Sequence, residues 1–238
     1  MSHDILRLDH ESNYDMWSRR NYLIATVGIA ALSGCSADDG NGTTERETVP
    51  EMYMSATSLG GEQRNPDDLR AKADVSFSEY SEALENDSHQ PGRCCANCAD
   101  YIPDKDGDEF GACAEVAGLI DGEDWCVVYE ELPEPEVPEG MSEDELATAE
   151  VPEEYRTATS QGGEERDPDD LQTQESVSLM ESVEAIADGP ASPGQSCGNC
   201  AEFIPDKNGD TWGACARVEG YIAVEDWCSV WEHISEEL

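Results

Sequence analysis

The chain has 238 residues, of which 55 are Asp or Glu and 13 are Lys or Arg, giving a net charge of −42. Such a surface repels nucleic acid and anionic membranes, so neither is expected as an electrostatic partner. Large aliphatics are sparse and only three residues are Phe, so a big hydrophobic core is not expected; ten cysteines point to disulfides or bound metal as the missing stabiliser. The acid excess reads as a solvated surface of halophilic character, a reading compatible with an acidic docking face for one basic partner.

Residues 1–17 are polar, then Arg19 and Arg20 precede an uncharged run of eleven residues from Tyr22 to Leu32. A spanning helix needs about 20 apolar residues, so this run is too short to cross a bilayer. Charge, a short apolar run and small residues predict a signal peptide over 1–34. The paired arginines resemble a twin-arginine signal, and Leu32-Ser33-Gly34-Cys35 resembles a lipobox. The expectation is a chain exported folded and held by lipid on Cys35 at the extracytoplasmic face of the cell membrane. Residues 35–48 would be a tether. The mature chain would keep ten basic and 51 acidic residues, a net of −41.

Residues 49–131 align with 151–233 at a constant offset of 102, without a gap, and 45 of these 83 positions are identical. One module is therefore written twice, over 49–132 and 151–234. The acidic, proline-rich stretch 133–150 reads as an extended or flexible linker. Asn65-Pro66-Asp67-Asp68-Leu69 and Asp167-Pro168-Asp169-Asp170-Leu171 have the cap, proline and acids of a helix start. Phe77, Tyr80 and Leu84 fit a short helix with one buried face, a pattern that Leu179, Ser182 and Ile186 keep only in part. The second half of each module, rich in Gly, Pro and Asp, predicts turns and short strands organised by the cysteines.

Module 1 carries Cys95, Cys98, Cys113 and Cys126; module 2 carries Cys197, Cys200, Cys215 and Cys228 with identical spacing. Cys94 is left over, and its counterpart is Ser196, so no role common to both modules can require it. Four thiolates suit zinc, an iron–sulfur cluster or two disulfides. Zinc ribbons generally supply two close pairs, whereas here only the first pair is close. The ferredoxin runs are absent, and a Rieske site needs two histidines; His89 and His233 are unmatched between modules and read as surface residues. Aromatics crowd the cysteines: Tyr101, Phe110, Trp125 and Tyr129 correspond to Phe203, Trp212, Trp227 and Trp231. Together they read as a dry shell around four thiolates, as a redox cluster needs.

These residues resemble the high-potential iron–sulfur proteins. The resemblance rests on Pro193-Gly194-Gln195-Ser196-Cys197-Gly198-Asn199-Cys200, Trp212-Gly213-Ala214-Cys215 and Asp226-Trp227-Cys228-Ser229-Val230-Trp231. It is repeated as Pro91-Gly92, Cys95-Ala96-Asn97-Cys98, Phe110-Gly111-Ala112-Cys113 and Trp125-Cys126-Val127-Val128-Tyr129. It covers about 40 residues per module. It implies a small cluster-organised α+β fold, mostly loops with short helices and a small antiparallel sheet, in two tandem copies. It also implies a 4Fe-4S cluster on each set of four cysteines and one-electron carriage between membrane redox complexes or cytochromes. The Pro-Gly often found after the third cysteine is replaced by Ala117-Gly118 and Glu219-Gly220. The family's amino-terminal tyrosine has Tyr53 and Tyr155 as candidates.

Asp104-Lys105-Asp106-Gly107-Asp108 and Asp206-Lys207-Asn208-Gly209-Asp210 resemble half a calcium loop but lack its later glycine, and read as acidic turns. No nucleophile–base set or phosphate loop stands out, so an electron carrier is expected rather than an enzyme. With four thiolates, the 3+/2+ couple keeps each site between −1 and −2, and a dry shell disfavours −3. Structural zinc or disulfide-stapled extracellular binding modules are the alternative.

Overall fold

A computed structural model describes residues 49–236. The expected signal peptide, the lipid site at Cys35 and the tether lie outside the described residues.

Regular structure is short throughout. Module 1 contains β1 (Ser78–Glu79), α1 (Tyr80–Ala83), β2 (Tyr101–Ile102), β3 (Ala112–Cys113) and β4 (Asp124–Trp125). After α2 (Glu143–Leu146), module 2 repeats the order with β5 (Met180–Glu181), α3 (Ser182–Asp188), β6 (Phe203–Ile204), β7 (Ala214–Cys215) and β8 (Asp226–Trp227). Two two-stranded antiparallel sheets form in each module where one small sheet was expected: β1 with β4 and β2 with β3, then β5 with β8 and β6 with β7. Isolated bridges bind the remaining loops. Cys98 faces Glu131 and Gly111 faces Ile120, and the same pairs recur 102 residues later as Cys200–His233 and Gly213–Ile222. Two-residue strand pairs are marginal alone, so the fold depends on what lies between them.

The helix signals are realised in reduced form. Pro66–Asp68 is a single 3₁₀ turn, with the Asn65 side chain accepting from Asp67 N at 3.2 Å. Asp167 makes the same bond to Asp169 N at 3.0 Å, but only a turn follows. The expected helix on Phe77, Tyr80 and Leu84 is one turn long. Leu84 is exposed, because α1 buries Ala83 instead. Module 2, where the pattern was weaker, forms the longer helix: α3 buries Ser182, Ala185 and Ile186 and ends on Gly189 at φ 92°. Glycine takes that left-handed conformation without strain.

The linker is docked rather than free. Leu146 on α2 is buried in a cluster with Tyr155, Trp212 and Tyr221, and its carbonyl accepts from Tyr221 N at 3.0 Å. Trp212 Nε1 donates to Glu136 O at 2.9 Å. Ser142 caps α2 with Glu145 in a capping box.

The two modules also pack on each other. The described residues form one compact unit. The core around the module 1 cysteines takes in Ala185, Ile186, Ala191 and Trp227 from module 2.

Candidate metal centre

Each first cysteine pair is fixed by the residue between its members. Cys95–Asn97 and Cys197–Asn199 are 3₁₀ turns, closed by Cys98 N to Cys95 O and Cys200 N to Cys197 O, both at 3.0 Å. Asn97 is buried. Its Oδ1 accepts from Cys94 N at 3.0 Å and its Nδ2 donates to Gly92 O at 3.0 Å. Asn199 does the same with Ser196 N at 3.1 Å and Gly194 O at 2.8 Å. The asparagine thus replaces loop-to-loop backbone bonds that so short a turn cannot make for itself. The third cysteine ends β3 or β7, and the fourth directly follows β4 or β8.

These elements bring each set of four together. Cys95, Cys98, Cys113 and Cys126 line one cavity with Phe77, Tyr101, Val116, Ile120 and Val128. Cys197, Cys200, Cys215 and Cys228 line its counterpart with Leu179, Phe203, Val218, Ile222 and Val230. All eight are free, buried thiols. Burial pushes every one upward: Cys98 and Cys215 to about 12, Cys113 and Cys200 to about 11, Cys95 and Cys197 well above the usual thiol. An uncompensated thiolate is therefore disfavoured here, and four thiolates need bound cations. Backbone N–H groups already aim at the sulfurs, Glu115 N at Cys113 Sγ and Arg217 N at Cys215 Sγ, each 3.4 Å.

The expected aromatic shell is only partly on the cavity walls. Tyr101 and Phe203 line them, because Tyr101 pairs with Cys113 and Phe203 with Cys215 across β2–β3 and β6–β7. Tyr129 and Trp231 pack on the surrounding core and donate to backbone, to Asn97 O at 2.9 Å and Ser196 O at 2.8 Å. Trp212 belongs instead to the linker cluster, and Trp227 packs on the core of the opposite module. Trp125 meets His89 edge to face at 5.1 Å. Phe110 lends its carbonyl to Tyr53. Phe77 is a wall residue that the shell reading did not include.

The histidines are not loose surface groups. His89 is wedged between Tyr80 and Trp125, and His233 lies against Trp231. Tyr53 and Tyr155 are buried, yet they serve the acidic turns rather than the cavities. Tyr53 Oη accepts from Lys105 N at 2.9 Å and donates to Phe110 O at 3.0 Å; Tyr155 repeats this with Lys207 N at 2.8 Å and Trp212 O at 3.0 Å. Asp104 accepts from the N–H groups of Asp106, Gly107 and Glu109, so its carboxylate is spent on the turn. The acidic-turn reading accounts for this loop.

Two functional candidates escaped the sequence reading. Arg64 and Arg166 are 4% exposed, which is rare for a guanidinium. Arg64 Nη1 donates to Cys113 O at 2.8 Å, and Arg166 Nη1 to Cys215 O at 2.9 Å. Both Nε atoms are buried without a partner. A buried cation held against the third cysteine favours negative charge on that sulfur. The signal was available: Arg64 and Arg166 occupy matched positions in a chain with few basic residues.

A loop-rich scaffold closed around four buried thiols and backed by a buried cation is the architecture of a small metal-cluster protein, here present twice. The chain belongs to the high potential iron-sulfur protein family, whose model matches residues 63–133 and 173–235, more than half of its length. No curated protein and no solved structure matches the chain. Membership makes it an iron–sulfur electron carrier in class, and the residues fit the family's 4Fe-4S group: the thiols converge, the walls are apolar apart from Asp100 and Glu202, and a buried guanidinium group is anchored on the carbonyl of each third cysteine.

Proposed function

We propose that the chain holds two 4Fe-4S clusters, one on Cys95, Cys98, Cys113 and Cys126 and one on Cys197, Cys200, Cys215 and Cys228. It passes single electrons between membrane redox complexes or cytochromes outside the cytoplasm, tethered by lipid on Cys35. One observation carries the cluster assignment: two matching, mostly apolar cavities, each lined by four buried free thiols. When bound, such a cluster supplies a one-electron couple, here the 3+/2+ couple. The chain's own residues set its conditions. Val116, Ile120, Val218 and Ile222 keep water from the sulfurs. The N–H groups of Glu115 and Arg217 and the guanidinium groups of Arg64 and Arg166 stabilise negative charge on the site, which favours its reduced form. The acidic surface acts oppositely, but molar salt shortens the Debye length to about 3 Å and screens it.

Iron and sulfide analysis of the purified protein tests this, with about eight irons per chain expected. Electron paramagnetic resonance should be silent as purified, gain a signal with ferricyanide, and gain none with dithionite. A colourless protein, or a signal seen only after dithionite, would overturn the assignment. Export and tethering are tested separately: Cys35→Ser should move the protein from membrane to medium, and retention on the membrane would mean another anchor.

A further inference from the structure

We infer that the interface between the modules is an electron path, so that the two four-cysteine sites exchange an electron within one chain. This rests on the two-cluster reading above. The 3₁₀ turns Cys95–Asn97 and Cys197–Asn199, each beginning with the first cysteine of its site, contact each other across the interface. The bond between them involves the immediate neighbours of those cysteines. Ser196 Oγ donates to Ala96 O at 2.7 Å, and both residues are fully buried. Ala96 is bonded to Cys95 and Ser196 to Cys197, so one hydrogen bond joins two covalent stretches into a route from site to site.

An aromatic ring lies alongside this route. Trp231 packs against the core containing Cys95, Cys98, Cys113 and Cys126, and also against the core containing Cys197, Cys200, Cys215 and Cys228. Its Nε1 donates to Ser196 O at 2.8 Å, which fixes the ring to the same turn. Cys94 takes part as well: its Sγ accepts from Gly194 N at 3.4 Å across the interface. The left-over cysteine and its serine counterpart thus both have a role, and it is in joining the modules.

The approach is closer than side chains allow. A Cβ on Gly92 would lie 2.0 Å from Val183 O, and one on Gly198 would lie 2.8 Å from Leu59 Cδ1. Glycine at 92 lets the two backbones meet, and glycine at 198 makes room for the Leu59 side chain. A contact this tight is fixed before any electron moves, so no docking step is needed between the sites. In the half-oxidised protein one electron leaves the site of one module and arrives at the other, with no bond made or broken and no proton transferred. Ferricyanide, a one-electron oxidant, prepares that state.

Magnetisation transfer between the paramagnetically shifted cysteine β-protons of half-oxidised full-length protein tests the path. Cross-peaks between module 1 and module 2 signals are expected, at a rate unchanged on dilution, since the exchange is intramolecular. Gly92→Ala should abolish them by parting the modules, and Ser196→Ala, which removes only one hydroxyl, should slow the exchange while both clusters are retained. Two signal sets without cross-peaks, or a rate that falls in proportion to protein concentration, would overturn the inference and leave the two-cluster reading standing. Fewer than two clusters by iron analysis of the unmutated protein would overturn both.

Discussion

Module 1 and module 2 share a backbone and differ in what they do with it. Each bridge named in the first recurs in the second at an offset of 102, and so do the tyrosine, arginine and asparagine anchors around Tyr53, Arg64 and Asn97. The differences lie where the repeats stop being equivalent. Module 1 presents Cys94 and Gly92 to its neighbour, and module 2 presents Ser196 and Gly194, in unequal contacts. Module 2 is further wrapped by the linker, which covers Trp212 and Tyr221. Module 1 instead lays Lys72 over Phe77, 4.2 Å from the ring centre. Buried groups that must be satisfied are thus the same in both modules, while surfaces have diverged to fit each other.

The sharpest way to break the symmetry is to remove one ligand. Cys98→Ser and Cys200→Ser should each lose about half the iron, one cluster of two. Cys94→Ser should keep all of it, since a serine already occupies the matching position in module 2. Iron per chain and visible absorption report the outcome. Loss of both clusters from one substitution would show that the modules fold only together.

Next in size is the glycine pair at the interface. Both Gly92 and Gly194 have positive φ, 89° and 91°, so alanine strains either one. Only Gly92 faces a backbone oxygen at 2.0 Å; Gly194 has Glu123 N at 3.1 Å. Gly194→Ala should cost about 1–2 kcal/mol from backbone strain. Gly92→Ala should cost roughly 2 kcal/mol more or part the modules altogether. Thermal unfolding of the two variants side by side measures the gap, and equal losses would mean the contact at Val183 yields easily.

The cysteine sets and the duplication were legible in the sequence because ligand chemistry demands fixed residue types at fixed spacing. The wall residues were not, because an aromatic letter carries no direction. Trp125 ends β4 immediately before Cys126, yet its ring meets His89 rather than the cavity. Phe110 and Trp212 stand three residues before a cysteine, outside the two-residue strands that carry it. Tyr101 and Phe203 reach the cavities through cross-strand pairing with Cys113 and Cys215, a register that becomes visible only in the fold. The docked linker was hidden for a different reason. Its composition is that of a free chain, and one leucine, Leu146, is enough to seat it.

A smaller effect is expected at the tyrosine anchors, where the modules agree. Tyr53→Phe leaves the N–H of Lys105 and the carbonyl of Phe110 without their partner, and Tyr155→Phe does the same to Lys207 and Trp212. Each should cost about 1–3 kcal/mol, the usual penalty for stranding buried polar groups. Denaturant titration should give similar losses for both. Iron content should stay unchanged, because these rings hold the acidic turns and not the cavities. Iron loss in Tyr53→Phe would return that tyrosine to the cluster wall.

The smallest effects concern the exposed ion pairs, where the modules exchange charge. Glu115 in module 1 pairs with Arg70 at 3.4 Å; at the equivalent position in module 2, Arg217 pairs with Glu164 at 2.7 Å and Glu202 at 3.0 Å. Arg70 is mostly exposed, so Arg70→Gln should cost well under about 1 kcal/mol. Arg217→Gln should cost more, about 1–2 kcal/mol, because Glu202 is buried and one of its oxygens already lacks a partner. Burial pushes the Glu202 carboxyl above its ordinary value, and Arg217 pulls it back down. Removing the arginine raises it further. A carboxyl raised in the folded state binds its proton more tightly there than in the unfolded chain, so stability falls as pH rises from the unfolded value through the folded one. The deficit of Arg217→Gln should therefore grow as pH rises above the ordinary carboxyl range and vanish below about pH 4, as Glu202 becomes protonated in both states. Arg70→Gln, which strands no buried carboxylate, should show a nearly flat difference across the same range. A pH-independent deficit in Arg217→Gln would mean that Glu202 gains its own access to water once the arginine is gone.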